Sequence, residues 1–378
     1  MLTEKQTEAV KAYEASNHNE HEAARTIGID AKSLRGRLWG AAKAGWPVEP
    51  NRFVEQAPVG FGLTKSTLQI NGDGDVVQRW DRVSPILSEI TQEYFNQRIP
   101  AAPVQVAPTD TNSALLLEWL IPDHHLGLLA WAAETGASYD LKIAKTLMVN
   151  AARAIFSHCG PVEEAVIFGG GDNLHSDNRS NRTEKSGHIL DVDSRYTKTA
   201  WIGYETWTTA IDIALQQAKT VRVVIVSGNH DPMSAIHLCM VLAAHYRNET
   251  RVVVDTSPAK HKFYRWGRNF FMASHGDTGS KRLASYMMNH IIRNNLTGIE
   301  RMYVRAGHLH KRGRTTPAGL TEEDGVIVEL FPTLAPADAW AAEEAYSNVR
   351  ATVANLWHRE WGQRSRIELG IKELMSEQ

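Results

Sequence analysis

The feature that most constrains this chain is the stretch Val166-Ile167-Phe168-Gly169-Gly170-Gly171-Asp172-Asn173-Leu174-His175. A short apolar run ends in three glycines, then a carboxylate, then an imidazole three places on. The unbroken apolar run predicts a strand covered on both faces, since a half-exposed strand would alternate apolar and polar side chains. The glycines let the backbone turn sharply and come close to whatever sits above the strand's carboxyl end. In open α/β sheets that end is where ligands bind. A single Gly-Asp after a strand is also an ordinary turn, so recurrence decides its meaning.

The pattern recurs. Asp123-His124-His125, Gly228-Asn229-His230-Asp231, Ser274-His275-Gly276 and Gly307-His308-Leu309-His310 each follow an apolar, strand-like run. Asp, Asn and imidazole donors suit Mn, Fe or Zn. The two cysteines, Cys159 and Cys239, have neither metal-ligand spacing nor a disulfide framework. Alternating pairs such as Asp123/His125 and His308/His310 let one short loop aim two donors at one place.

From about residue 113, strands and helices alternate. Strands are expected at 114–121, 165–168, 221–227, 251–255, 261–266, 270–274, 302–306 and 326–331. Helices are expected at 139–158 and 193–219, the second broken near Gly203. This order predicts a layered α/β domain with two sheets and helices outside. Residues 51–112 differ: a hairpin at 61–70 and 76–80 across a Gly/Asn/Asp loop, a helix at 84–96, and a Pro/Ala/Thr-rich linker over 98–112.

Residues 1–50 predict three helices, with Asn19 and Asp30 as caps of the second and third and a turn at Gly28. Residues 22–29 and 33–38 resemble a helix-turn-helix of the resolvase or homeodomain-like kind. In that motif the helix after the turn enters the major groove, which makes Lys32, Ser33, Arg35 and Arg37 candidate DNA contacts. The alternative is a three-helix module for protein contacts with a solvated basic face. A net charge of −2 excludes coating nucleic acid by charge alone and leaves local basic patches open. No apolar run approaches the ~20 residues that span a bilayer. With no signal-peptide core at the N-terminus and few cysteines, the expected compartment is the cytoplasm.

Together the five loops resemble the motifs of the calcineurin-like metallophosphoesterases, over about residues 113–340. The resemblance implies an α/β double-sheet sandwich flanked by helices, carrying a dinuclear metal site. One metal would be held by Asp123, His125, Asp172 and His310, the other by Asp172, Asn229, His275 and His308, with Asp172 bridging. His230, oriented by Asp231, would be the catalytic histidine that protonates the leaving oxygen or steadies the transition state. Gly-Asp-x-x-His, ending at His175, is similar to the nuclease subunits of SbcCD-type repair complexes, where that histidine orients the DNA phosphate. Gly-Asp-x-x-His-Ser-Asp-Asn through Asn178, and Leu-Asp-Val-Asp-x-Arg through Arg195, are similar to phage- and prophage-encoded phosphoesterases described as DNA repair exonucleases.

The implied organisation is a helix-turn-helix over 1–50, a hairpin and linker over 51–112, and a phosphoesterase domain with a C-terminal extension over 113–378. The implied activity is a phosphodiesterase using two divalent ions, Mn²⁺ first, with Fe, Zn and Mg as alternatives. DNA is the expected partner, with no membrane, and a homo-oligomer is allowed. Two other readings compete: the same chemistry on a small nucleotide or phosphoprotein, and a DNA-binding regulator that keeps only the fold. The chemistry suits the donors, because two cations about 3.5–4 Å apart can activate water and clamp both oxygens of an in-line displacement. An imidazole that is not a ligand can then serve as general acid near neutral pH.

Other residues carry weaker expectations. His124 is expected in solvent or beside a ligand, and Asp277 beside a ligating imidazole. Asp177, Asn178, Arg179 and Arg182 would line a phosphate channel or a solvated loop. Lys281, Arg282, Lys311, Arg312 and Arg314 are candidate phosphate contacts, and the tryptophans at 340, 357 and 361 are expected in the core.

Overall fold

The structure, a computed structural model, describes residues 2–16, 19–43, 61–70, 76–85, 87–183, 187–308, 320–344 and 349–376. His310, Lys311, Arg312, Arg314 and the 71–75 turn lie outside the described residues. The chain divides into two compact units, Met1–Glu93 and Tyr94–Gln378.

In the first unit, α1 (Glu4–Ala15), α2 (Glu20–Thr26) and α3 (Ala31–Lys43) pack on one another. Their core is built from Ala9, Val10, Ala23, Ala24, Leu34 and Leu38, where the small alanines let the helices approach closely. The helix starts follow the expected caps. Thr3 and Gln6 form a reciprocal capping box, Asn19 accepts the His21 and Glu22 N–H groups, and Asp30 accepts that of Ser33. Strands β1 (Phe61–Ile70) and β2 (Val76–Pro85) form an antiparallel hairpin, followed by α4 (Leu87–Arg98). β2 runs past the expected end at residue 80 and the helix starts after 84, because a residue before proline, here Ser84, is driven to extended backbone.

The second unit continues with β3 (Asn112–Ile121), α5 (Ala132–Thr135), α6 (Leu141–Cys159), β4 (Val162–Gly169), α7 (Tyr196–Leu215) and β5 (Ala218–Ile225). Next come α8 (Ser234–His245), β6 (Val252–Val254), β7 (Lys262–Trp266), β8 (Asn269–Ala273), α9 (Ser280–Arg293) and β9 (Arg301–Ala306). The chain then forms β10 (Leu320–Glu323), β11 (Val326–Leu330), α10 (Ala339–Glu343), β12 (Ala351–His358), β13 (Gly362–Gly370) and α11 (Ile371–Ser376). One sheet has the order β13-β12-β3-β4-β5-β6 and the other β10-β11-β9-β8-β7. Both are mixed: β3 to β6 are parallel beside antiparallel β12 and β13, and β8, β9 and β11 are parallel between antiparallel edges.

The apolar run at the centre of the chain now has its reason. Val166 and Phe168 of β4 point into a core shared with Phe271 and Tyr303 of the second sheet and with Trp357. Ile167, between them, points the other way, into a core with Leu147 and Ile155 of α6 and Trp207 and Ile211 of α7. The second sheet is covered in turn by α9, through Leu283 and Met287 against Phe270, Met272 and Val304. The result is the expected α/β double-sheet sandwich with helices on its outer faces. Between the sheets, buried Arg305 of β9 pairs with Glu118 of β3 (3.2 Å) and Glu329 of β11 (2.6 Å). The Tyr264 hydroxyl and the Trp357 indole also donate to Glu118. Charges removed from water in this way persist only when paired and hydrogen-bonded.

Several expectations change. α7 is unbroken through Gly203 and ends at Leu215, because residues 218 and 219 already belong to β5. The C-terminal stretch supplies two strands of the main sheet, with β12 beside β3. Of the three tryptophans, Trp357 is buried, while Trp340 and Trp361 are 48% and 66% exposed. The expected linker is an ordered strap on the second unit. Ala102 is buried and donates to the His245 carbonyl (2.7 Å), while Gln105 N–H donates to Glu249 (2.9 Å). Pro100, Pro103 and Pro108 keep the strap extended by fixing φ.

Candidate metal centre

The five loops leave β3, β4, β5, β8 and β9, and within each sheet these strands are parallel neighbours. The loops therefore emerge at one edge of each sheet, and the hydrogen bonds join them. Asp123 N–H donates to the Gly171 carbonyl (3.1 Å) and His125 N–H to that of Asp172 (2.9 Å). His308 N–H donates to Asp123 Oδ2 (2.7 Å), which links the two sheets. Among the described residues three donor groups form, each with ligand atoms within 4.8 Å of one another. They are Asp123/His125/Asp172, Asp172/His275/His308 and His125/His175/His230. Asp172 belongs to the first two, and Asn229 joins the second through its Oδ1, 3.0 Å from His275 Nε2.

Local backbone geometry is unusual at these positions. Asp123, His125, Asp172 and His308 have φ of 50°, 47°, 50° and 69°, in the left-handed region that non-glycine residues seldom adopt. Such strain is characteristic of functional sites, where the surrounding structure over-determines the conformation. Two glycines permit the close approach. A Cβ on Gly228 would fall on the Asp172 carboxylate, and one on Gly307 would fall on that of Asp123. Gly228→Ala is therefore expected to weaken Mn²⁺ binding by on the order of 10–100-fold, as other losses of support around a metal ligand do. Calorimetric titration of metal-free protein checks this, and unchanged affinity would mean that the loops have room to part.

Protons and charge fit a cation site. His275 Nδ1 lies 2.9 Å from the Gly170 carbonyl, which can only accept, so Nδ1 carries a proton and Nε2 is the nitrogen that faces the other ligand atoms. His308 Nδ1 is 3.0 Å and Asp172 Oδ2 3.4 Å from that same Nε2. Burial opposes charge on His275, yet Asp172 and Asp123 draw its pKa up to about 10. Burial likewise opposes charge on Asp172, but His275, His230 and His125 hold it well below the usual carboxylate range. Carboxylate, amide oxygen and imidazole nitrogen converge here, a set that suits Mn, Fe or Zn.

Asp231 does not orient the His230 ring. Its buried carboxylate accepts backbone N–H groups of Asp172 (3.0 Å), Asn173 (2.8 Å), Leu174 (3.3 Å) and Gly228 (2.9 Å). It thus ties the loop after β4 to the loop after β5. Burial and the Asp172 charge push the Asp231 carboxyl up to about 7, while the N–H groups pull it back. The His230 ring is held by the His175 carbonyl, 2.9 Å from Nδ1, and the backbone N–H of His230 donates to Asp172 Oδ1 (2.8 Å). His175 is buried, with Nδ1 3.2 Å from His125 Nδ1 and its ring stacked on that of His230 at 5.2 Å.

The remaining candidates lie as follows. His124 is fully buried, not in solvent, and burial takes its pKa down to about 4. Asp277 pairs with Lys260 (2.6 Å). Lys281 and Arg282 are exposed in the first turn of α9. In the first unit, Ser33 donates to Asp30 (2.6 Å), Arg35 pairs with Glu20 (2.6 Å) and Arg37 with Glu8 (3.2 Å), while Lys32 is exposed. A contribution that sequence reading missed comes from Thr333, whose hydroxyl donates to the Asp123 carbonyl from the loop after β11.

No protein-family model matches the chain, and no curated protein matches it. Among solved structures, the chain is similar to an uncharacterised protein of Streptococcus pneumoniae described as a predicted phosphoesterase, with TM-score 0.28, 11% identity, and 68% of this chain and 99% of that one covered. It is similar to a Vps29 single mutant of Entamoeba histolytica, with TM-score 0.28, 10% identity, and 67% and 99% covered. It is also similar to a dimetal phosphatase of Danio rerio, with TM-score 0.37, 10% identity, and 68% and 99% covered.

Proposed function

We propose that this chain is a dinuclear metal-dependent phosphodiesterase acting on DNA, with its N-terminal helical unit as a DNA contact. The observation that carries the reading is that one buried carboxylate, Asp172, belongs to two donor groups at once. In this reading Asp123, His125, Asp172 and His310 hold one divalent ion, and Asp172, Asn229, His275 and His308 the other, with Mn²⁺ as first choice. When bound, such a pair activates water and offsets the charge that develops on a transferring phosphoryl group.

The chain's own residues supply the rest. His230 has Nδ1–H committed to the His175 carbonyl, which leaves Nε2 to pass a proton to the leaving oxygen. His175, stacked on it, holds a non-bridging phosphate oxygen and turns the strand into line. Asp231 keeps the backbone of Asp172 and Gly228 in place, a positioning role.

The test is a substrate panel with Mn²⁺: linear duplex, single strand, closed circle, cyclic nucleotides and an aryl diester. DNA with free ends and the aryl diester should be hydrolysed and the closed circle should resist. Activity confined to cyclic nucleotides or a phosphoprotein would overturn the DNA reading and leave the metal chemistry standing.

One observation favours a protein contact for the helical unit: Arg35 and Arg37 are already paired with Glu20 and Glu8. Surface pairs of this kind are worth only about 0–1 kcal/mol, so phosphates can displace the carboxylates. Removal of residues 1–51 is accordingly expected to leave aryl diester hydrolysis unchanged, weaken DNA binding and flatten its salt dependence. Equal affinity and salt slope with and without the unit would assign it to a protein partner.

A further inference from the structure

We infer that Asp177 is a positioning residue for His230, acting by capping a helix that belongs to the neighbouring loop. This rests on the reading of His230 as the proton donor. Helix α8 begins directly after the His230 loop and has no cap of its own, since Met233 stands at the capping position and offers no side-chain acceptor. The first N–H groups of a helix need partners from outside it, and a carboxylate suits them best. Asp177 supplies one across the gap: its Oδ2 accepts the N–H of Met233 (2.9 Å) and reaches that of Ser234 (3.4 Å).

The consequence for His230 follows from where Asp177 sits. It stands two residues after His175, whose carbonyl accepts from His230 Nδ1 at 2.9 Å. The same two segments are therefore joined twice, by imidazole to carbonyl and by carboxylate to helix end. Asp231 joins them again in the opposite sense, from the β5 loop back to the backbone of residues 172–174. The division of labour is specific. Asp231 secures the part of the loop that carries the bridging Asp172, whereas Asp177 secures the part that carries the His175 carbonyl. Loss of Asp177 should free that carbonyl and with it the proton position on His230, while Asp172 stays tied.

The test uses the full chain, loaded with diamagnetic Zn²⁺ for spectroscopy and Mn²⁺ for kinetics. ¹⁵N–¹H correlation of the histidine rings should show His230 protonated at Nδ1 in the wild type. Asp177→Ala should give exchange between tautomers, and Asp177→Asn, which keeps a capping oxygen, should restore the wild-type signal. In kinetics, Asp177→Ala should lower turnover of a dinucleotide by on the order of 10-fold, part of what loss of a general acid costs. Turnover of an activated aryl diester should change less than about 2-fold, because a good leaving group needs no proton. Metal content and KM should hold. An unchanged His230 spectrum in Asp177→Ala, equal losses on both substrates, or loss of metal would each overturn the proposal. His230→Ala run alongside separates the two readings: if it shows no dependence on the leaving group while Asp177→Ala still shifts the His230 tautomer, the proton-donor role fails and the positioning contact stands.

Discussion

Asp172→Ala is expected to empty both halves of the metal site and abolish hydrolysis. Asp172 is the member common to two donor groups, it is buried, and four neighbours depend on it. Its carboxylate accepts from His230 N–H (2.8 Å) and faces His275 Nε2 (3.4 Å), and its carbonyl accepts from His125 N–H (2.9 Å). Its N–H in turn donates to Asp231 (3.0 Å). The substitution removes the charge that keeps His275 attracted to this pocket and leaves the backbone ties in place, so the protein should fold while failing to retain metal. Elemental analysis after Mn²⁺ loading and desalting checks it. Two ions per chain in the variant would remove Asp172 from the bridging position.

His230→Ala should behave differently, keeping both metals and losing turnover by roughly the 10²–10⁴-fold that a general acid contributes. The ring touches the metal-ligand loops at its Nδ1 contact with the His175 carbonyl, through the stack on His175 and edge-on against the His125 ring at 4.7 Å. The bond from residue 230 to the Asp172 carboxylate comes from the backbone N–H, which alanine preserves. The loss should be large on DNA or a dinucleotide and small on an aryl diester with a good leaving group. Equal losses on both would make His230 a binding or electrostatic group.

Much of this was legible in the sequence because strand ends are punctuated. Apolar runs closed by Gly, Pro or Ser and followed by Asp, Asn or His marked five loops, and all five strands feed the same edge of their sheets. What the sequence does not display is the partner of a side chain. Asp231, next to His230 in the chain, reads as its companion, yet its carboxylate is satisfied by backbone N–H groups of residues 172–174, about sixty positions earlier. Arg35 and Arg37 read as an open basic face, yet acidic residues of the two preceding helices meet them. β12 and β13 carry no motif, and only their pairing beside β3 shows that they complete the main sheet. The strap over residues 99–106 has the composition of a linker, and it is ordered by hydrogen bonds to α8 and the turn after it, which composition does not encode.

The most direct test of the account is one titration. Metal-free protein is titrated with Mn²⁺ while binding and hydrolysis of an aryl diester are followed on the same samples. Two ions per chain should bind, and hydrolysis should rise with occupancy of the second and stop when a chelator removes them. A single ion per chain, or hydrolysis that persists in chelator, would contradict a dinuclear centre built around Asp172.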